Sequence, residues 1–205
     1  MIEKIKKLKR SKIKNLIQKR IKEFKKIGKS SSNEIFKELC FCILTANFSA
    51  ERGIEIQQKI GNEFLTLEER LLARRLKELG HRYPNTRARY IVGARKQKDK
   101  IVHAIKSLTN EIELREWLVK NVKGLGYKEA SHFLRNIGYK NVAIIDFHIL
   151  DLLERFKIIN KARSLTKRNY LEIEGILRKI ANTAGLTLAE LDLYLWYMET
   201  GKILK

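Results

Sequence analysis

The chain has little of several things that would have placed it elsewhere. Two cysteines, Cys40 and Cys42, are too few for a four-cysteine zinc or iron–sulfur site. At i and i+2 on a helix they would also face apart, so they read as small buried hydrophobes. There is one proline, Pro84, so a loop-rich or polyproline chain is excluded. No apolar run approaches the roughly 18–20 residues of a membrane-spanning helix. The opening "MIEKIKKLKR" lacks the apolar centre of a secretory signal, and a cytosolic protein is expected. Alternating polar and apolar patterns fade after four or five residues, so strands are not expected. Acidic residues are scarce as well.

That last scarcity is informative. Forty-four Lys and Arg stand against 23 Asp and Glu among 205 residues, a formal charge of +21. A lysine bias inherited from genome composition or heat adaptation usually raises glutamate too, and here the acids lag. A polyanion is the natural partner, because neutralising its phosphates releases condensed counterions. With 44% hydrophobic residues a sizeable core is available, and 33% charged residues solvate the surface.

What remains reads as helix after helix. Residues 3–27 place Ile5, Leu8, Ile13, Leu16, Ile17, Ile21 and Phe24 at helical spacing. Further amphipathic helices are expected over 34–47, 49–61, 67–80, 86–97, 114–122, 127–137, 146–157, 169–181 and 187–200, with Gly61 and Gly80 as C-terminal stops. The fold class is all-α, of roughly ten helices without a fixed-period repeat. Residues 1–205 are expected to form one compact unit of two helical lobes, the middle of the chain making one and the two ends the other. A cleft between lobes is the default site.

One stretch carries chemistry. In "VKGLGYKEASHFLRNIGYKNVAIIDFHILDLL" (122–153), Gly124 and Gly126 flank a single leucine between two helices, a helix-hairpin-helix over about 114–137. Glycines there turn backbone N–H groups outward beside a helix N-terminus, a concavity that suits phosphate. Lys128 lies in the first turn of the new helix, whose dipole disfavours an ammonium and favours a usable amine. Asp146 follows 146 − 128 = 18 residues on, after the apolar "VAII" and where a helix would want an acidic N-cap. Cap and catalyst are compatible readings. G-x-G alone is a weak signal; its company with Lys128 and Asp146 is what raises it.

These residues resemble the signature of the helix-hairpin-helix DNA glycosylase superfamily. Within it, "FKELCFCILTANFSAE", "GYKEASHFLRNIGY", "IIDFHIL" and "LYLWYMETGKILK" are similar to the archaeal-type second family of 8-oxoguanine DNA glycosylase/AP lyases, over essentially the whole chain. The resemblance implies a bifunctional repair enzyme. Lys128 would attack C1′, displace 8-oxoguanine and form a Schiff base, after which β-elimination nicks the strand. Asp146 would stabilise the cationic sugar as the glycosidic bond breaks. The base must be extruded from the duplex.

The same resemblance implies lesser roles. His148 would contact phosphate, Asn47 would fill the gap left by the flipped nucleotide, and Arg87, in the loop "GHRYPNTRAR" (80–89), would touch DNA beside Arg82 and Arg89. Lys205 would lie in the base pocket; from the residues alone, Trp196 reads either as a stacking wall for the base or as core among Leu193, Leu195 and Tyr197. The backbone carbonyls of Lys120, Val122 and Leu125 would hold a structural monovalent or divalent cation, with no cofactor required. The partner would be double-stranded DNA containing 8-oxoguanine, bound by a monomer associated with the nucleoid. One departure stands out: Phe147 occupies a position between Asp146 and His148 that the family often fills with arginine. A non-catalytic hairpin module gripping the DNA backbone is the competing class, and it would be indifferent to Lys128 and Asp146.

Overall fold

The computed structural model describes residues 1–160 and 165–205. Among them are thirteen helices: α1 (Ile2–Lys9), α2 (Ile13–Gly28), α3 (Ser32–Leu44), α4 (Ala50–Ile60), α5 (Glu63–Thr66), α6 (Glu69–Glu78), α7 (Pro84–Lys96), α8 (Lys98–Ser107), α9 (Glu111–Asn121), α10 (Tyr127–Asn136), α11 (Phe147–Arg155), α12 (Lys167–Ala184) and α13 (Leu188–Thr200). The all-α expectation holds, and no strand occurs among the described residues.

The expected run over 3–27 is two helices. Ser11 makes the break: its hydroxyl donates to the Leu8 carbonyl at 2.8 Å and accepts the Ile13 N–H at 3.2 Å. A serine side chain thus replaces backbone partners that a continuous helix would have used. Helices α5 and α8 were not anticipated. The first is a single turn, and the second places Ile101, Ala104, Ile105 and Leu108 at helical spacing, a pattern that was passed over. Helix starts follow capping chemistry more closely. Asn110 accepts from the N–H groups of Ile112 and Glu113, and Thr187 and Glu190 form a reciprocal capping box.

Two hydrophobic cores divide the molecule. One gathers α3 through α10, centred on Leu39, Phe41, Phe64 and Phe133. The other joins α1 and α2 to α11, α12 and α13 around Phe24, Ile145, Tyr170 and Leu193. The middle of the chain therefore makes one lobe and the two ends the other. The seam runs through "NVAII": Val142 packs into the central core, while Ala143 and Ile145 pack into the terminal one. Asp146 emerges directly after that crossing.

Buried ion pairs bridge the lobes. Arg115 of α9 pairs with Glu174 of α12, and Arg135 of α10 pairs with Asp192 of α13. Removing one partner of such a pair typically costs about 3–5 kcal/mol, because the other charge is left buried and alone. These pairs consequently specify how one lobe sits on the other.

Candidate active site

The hairpin is built by glycine geometry. Helix α9 ends at Asn121 and α10 begins at Tyr127, leaving five residues to reverse the chain. Gly124 adopts φ +96°, and a Cβ there would stand 2.3 Å from Cδ2 of Tyr90. No other residue satisfies both the dihedral and the close approach. Gly126 is the N-cap of α10, and its N–H is accepted by Oε2 of Glu129 at 3.1 Å. Glycine lacks a side chain to reciprocate, so Glu129 supplies the one side-chain half of a capping box.

Capping of α10 at this point sets the direction of Lys128. Lys128, His132 and Arg135 follow at helical spacing and all line one cleft of about 940 Å³. The Lys128 amine lies 3.5 Å from the Thr45 carbonyl and 3.4 Å from the Glu129 carboxylate. Asp146 enters the same cleft from the other lobe. It is the N-cap of α11, with Oδ1 accepting the Ile149 N–H at 3.0 Å. Tyr170 fixes the approach, its hydroxyl donating to the Ala143 carbonyl at 2.6 Å and accepting the Ile145 N–H at 3.3 Å. An amine from one lobe and a carboxylate from the other thus share one concave space.

The remaining expected residues fall into two groups. Asn47, His148, Trp196 and Lys205 line this cleft. Asn47 is exposed at φ +55°, so its side chain projects at the mouth instead of capping a helix from within. His148 stands edge-on to Trp196, ring centroids 5.0 Å apart, and tilts against Phe147 at 4.0 Å. Phe147 is 66% exposed beside Asp146. Lys205 reaches Glu38 at 2.8 Å and lies 4.4 Å above the Phe41 ring. Arg87, by contrast, is buried. Its guanidinium donates to the Ala46 carbonyl, behind the turn that presents Asn47. His81 buttresses the same turn: its Nδ1 accepts the Tyr83 N–H, so its Nε2 donates to Leu44.

The sequence and the fold of this chain have counterparts among known proteins. A family model described as 8-oxoguanine DNA glycosylase matches residues 17–186. The chain belongs to this family. It is 57% identical to the 8-oxoguanine DNA glycosylase/AP lyase of Methanocaldococcus jannaschii, covering all of this chain and 99% of that one. Identity to the corresponding protein of Korarchaeum cryptofilum is 55%, with 98% of that protein covered. Among solved structures, the Methanocaldococcus jannaschii 8-oxoguanine glycosylase/lyase in complex with a 15mer DNA containing 8-oxoguanine superposes with a TM-score of 0.97 at 56% identity, over all of this chain and 99% of that one. The 8-oxoguanine DNA glycosylase of Thermotoga maritima gives 0.93 at 43% identity, with 98% of that chain covered.

Beyond the family motif, charged groups in and behind the cleft were passed over by sequence reasoning. Glu38, in the apolar helix α3, accepts from Lys205, Gln57 and Asn136. Arg135 donates to the Asn136 side chain and pairs with Asp192, whose carboxyl burial pushes up to about 6, against the lowering pull of Arg135 and with a small further push from Asp146. The usable signal was a lone acid inside an apolar helix, at Glu38 and again at Asp192, since a buried charge is rarely left without a partner.

At the hairpin, the Val122 carbonyl accepts the Leu125 N–H at 3.2 Å, which leaves it a second lone pair. Main-chain carbonyls are the donor type that a hard cation takes. Among the described residues, no group of three or more His, Cys, Asp or Glu side chains could hold a metal.

Proposed function

We propose that this chain excises 8-oxoguanine from double-stranded DNA and then cleaves the abasic site through a Schiff base on Lys128. The observation that carries this reading is the convergence of Lys128 and Asp146, from opposite lobes, on one cleft of about 940 Å³. In the proposed sequence the Lys128 amine attacks C1′, the bond from C1′ to the base breaks, and the base leaves with its electron pair. Asp146 stabilises the cationic character that develops on the sugar. Ring opening gives the protonated Schiff base, and loss of a C2′ proton expels the 3′ phosphate. A carboxylate held as an N-cap is a fixed negative charge, which needs no reorganisation as the sugar becomes positive.

The other groups divide the work of holding DNA. Trp196 and Lys205 face the extruded base, and Asn47 enters the gap it leaves. Arg87 keeps the Asn47 turn in place from behind. His148 and the hairpin backbone around Gly124 and Gly126 meet phosphate, and the carbonyls of Lys120, Val122 and Leu125 would hold a cation whose charge would favour the DNA backbone there. No helix among the described residues is long and apolar enough to cross a membrane. The protein acts as a monomer on cytoplasmic, nucleoid-associated DNA.

Borohydride trapping tests the reading. The protein is incubated with a duplex containing one 8-oxoguanine, and reductant is added. A covalent adduct that requires both the lesion and Lys128, and is lost in Lys128→Gln, is the expected result. Salt-dependent binding without any adduct or excision would leave a backbone-gripping hairpin module and overturn the enzyme.

A further inference from the structure

One side chain on the cleft floor has no part in the mechanism above. His132 lies one helical turn beyond Lys128, is 7% exposed and lines the same cleft. Among the described residues neither ring nitrogen makes a well-formed hydrogen bond, and the Lys205 backbone is the polar group nearby. Its ring meets the Phe41 ring at a steep angle, centroids 5.4 Å apart, and the Lys205 amine lies 4.4 Å from the centre of the same phenylalanine ring. A buried imidazole with two unanswered nitrogens is uncommon in a folded protein, where such groups are nearly always paired. Its surroundings also fix its charge. Burial first, then the nearby cations Arg135 and Lys128, hold the ring neutral at physiological pH, and the Lys205 backbone offsets this only in part.

We propose that His132 is a specificity-determining residue that hydrogen-bonds the polar edge of the extruded purine. This rests on the cleft being the base-excision site. A neutral imidazole offers one donor and one acceptor side by side. An 8-oxopurine presents a matching mixture, since oxidation at C8 turns N7 from an acceptor into an N–H donor and leaves carbonyl acceptors on either side. Leucine or phenylalanine would pack equally well on Phe41 but could not sort bases by these groups. A site built to hydrogen-bond a substrate discriminates sharply against analogues that leave its buried polar atoms unpaired. Position matters too: the residue one turn from the nucleophile shares its helix, so base and sugar are held to one rigid element.

The test separates base reading from packing. Single-turnover excision of 8-oxoguanine is measured beside strand cleavage at a preformed abasic site, which has no base to read. His132→Phe is expected to lose excision by roughly 10- to 100-fold. Its cleavage of the abasic site should stay within about twofold. His132→Gln, which restores a donor and an acceptor, should recover part of the excision. If the phenylalanine variant does not fold, His132→Asn is read by the same two rates. Excision by His132→Phe within twofold of wild type, or a parallel fall in both rates, would overturn the proposal and reduce His132 to packing or to support of Lys128. Absence of 8-oxoguanine excision by the wild-type protein would instead remove the underlying function.

Discussion

Lys205 is held by Glu38, 167 residues away in sequence, through an ion pair of 2.8 Å. The final segment leaves α13, keeps Ile203 against the terminal core, and delivers Lys205 across the cleft to α3 and α4 of the central lobe. A second contact, Lys202 with Glu51, runs parallel to it. The tail therefore closes one side of the cleft and joins the lobes.

Since Glu38 is buried and also accepts from Asn136 and Gln57, its charge is matched chiefly by Lys205. Glu38→Gln should lower stability by about 1–3 kcal/mol, the usual cost of disturbing a buried polar group. Lys205→Ala leaves the same carboxylate unpaired and should cost a similar amount. Denaturant unfolding of the two single variants and the double variant is the check. The double variant should lose at least about 1 kcal/mol less than the sum, as coupled neighbours do. Additivity would mean that the tail and α3 are energetically independent, and the strap would be dismissed.

Asp146 serves as both N-cap and proposed electrostatic catalyst, and one substitution parts the two. Asparagine caps helices about as well as aspartate, and its side-chain oxygen can keep the Ile149 N–H bond. Asp146→Asn should thus leave stability within about 0.5 kcal/mol of wild type. With the negative charge gone, single-turnover excision should fall at least roughly 100-fold. Thermal melts and excision kinetics on the same preparation decide the matter. A variant that melts early and loses activity only in proportion would make Asp146 structural.

How much of this could be read from the sequence depended on distance along the chain. The hairpin, Lys128 and Asp146 fall within one local stretch, where glycine placement and a capping acid leave direct traces. Helix positions were equally local, apart from Ser11, whose hydroxyl broke a run that apolar spacing alone would have continued. The buried residues gather into two cores that meet at Val142 and Ala143, a division set by packing between distant segments. The partners of Glu38, Arg135 and Asp192 left no local trace, because they lie 57 to 167 residues away. Arg87 illustrates the converse. An arginine in a basic loop looks like a DNA contact, yet its side chain is buried and donates to the Ala46 carbonyl.

Asp192 makes stability depend on pH in an unusual direction. Its carboxyl titrates near about 6 in the folded protein, against an ordinary 3.8. Between those values the folded state holds a proton that the unfolded chain has released, so the contribution of Asp192 is full below about pH 4 and is lost as pH rises through about 6. The full span of that loss is about 3 kcal/mol. His81 and His132 oppose it, because burial lowers both, and their contribution is present above pH 6.5 and lost on acidification. A single stability curve would therefore mix the two effects. Subtraction isolates them: Asp192→Asn keeps both histidines and removes the titration. The variant also changes the contact with Arg135, an offset that does not vary with pH, so the change of the gap with pH is what reports the titration. The gap between wild type and variant should narrow as pH rises from 4 to 6.5 and stay constant above. Urea unfolding at half-unit steps measures it, and a gap that is flat or widens across this window would show that Asp192 is ionised throughout, as a pair dominated by Arg135 would be.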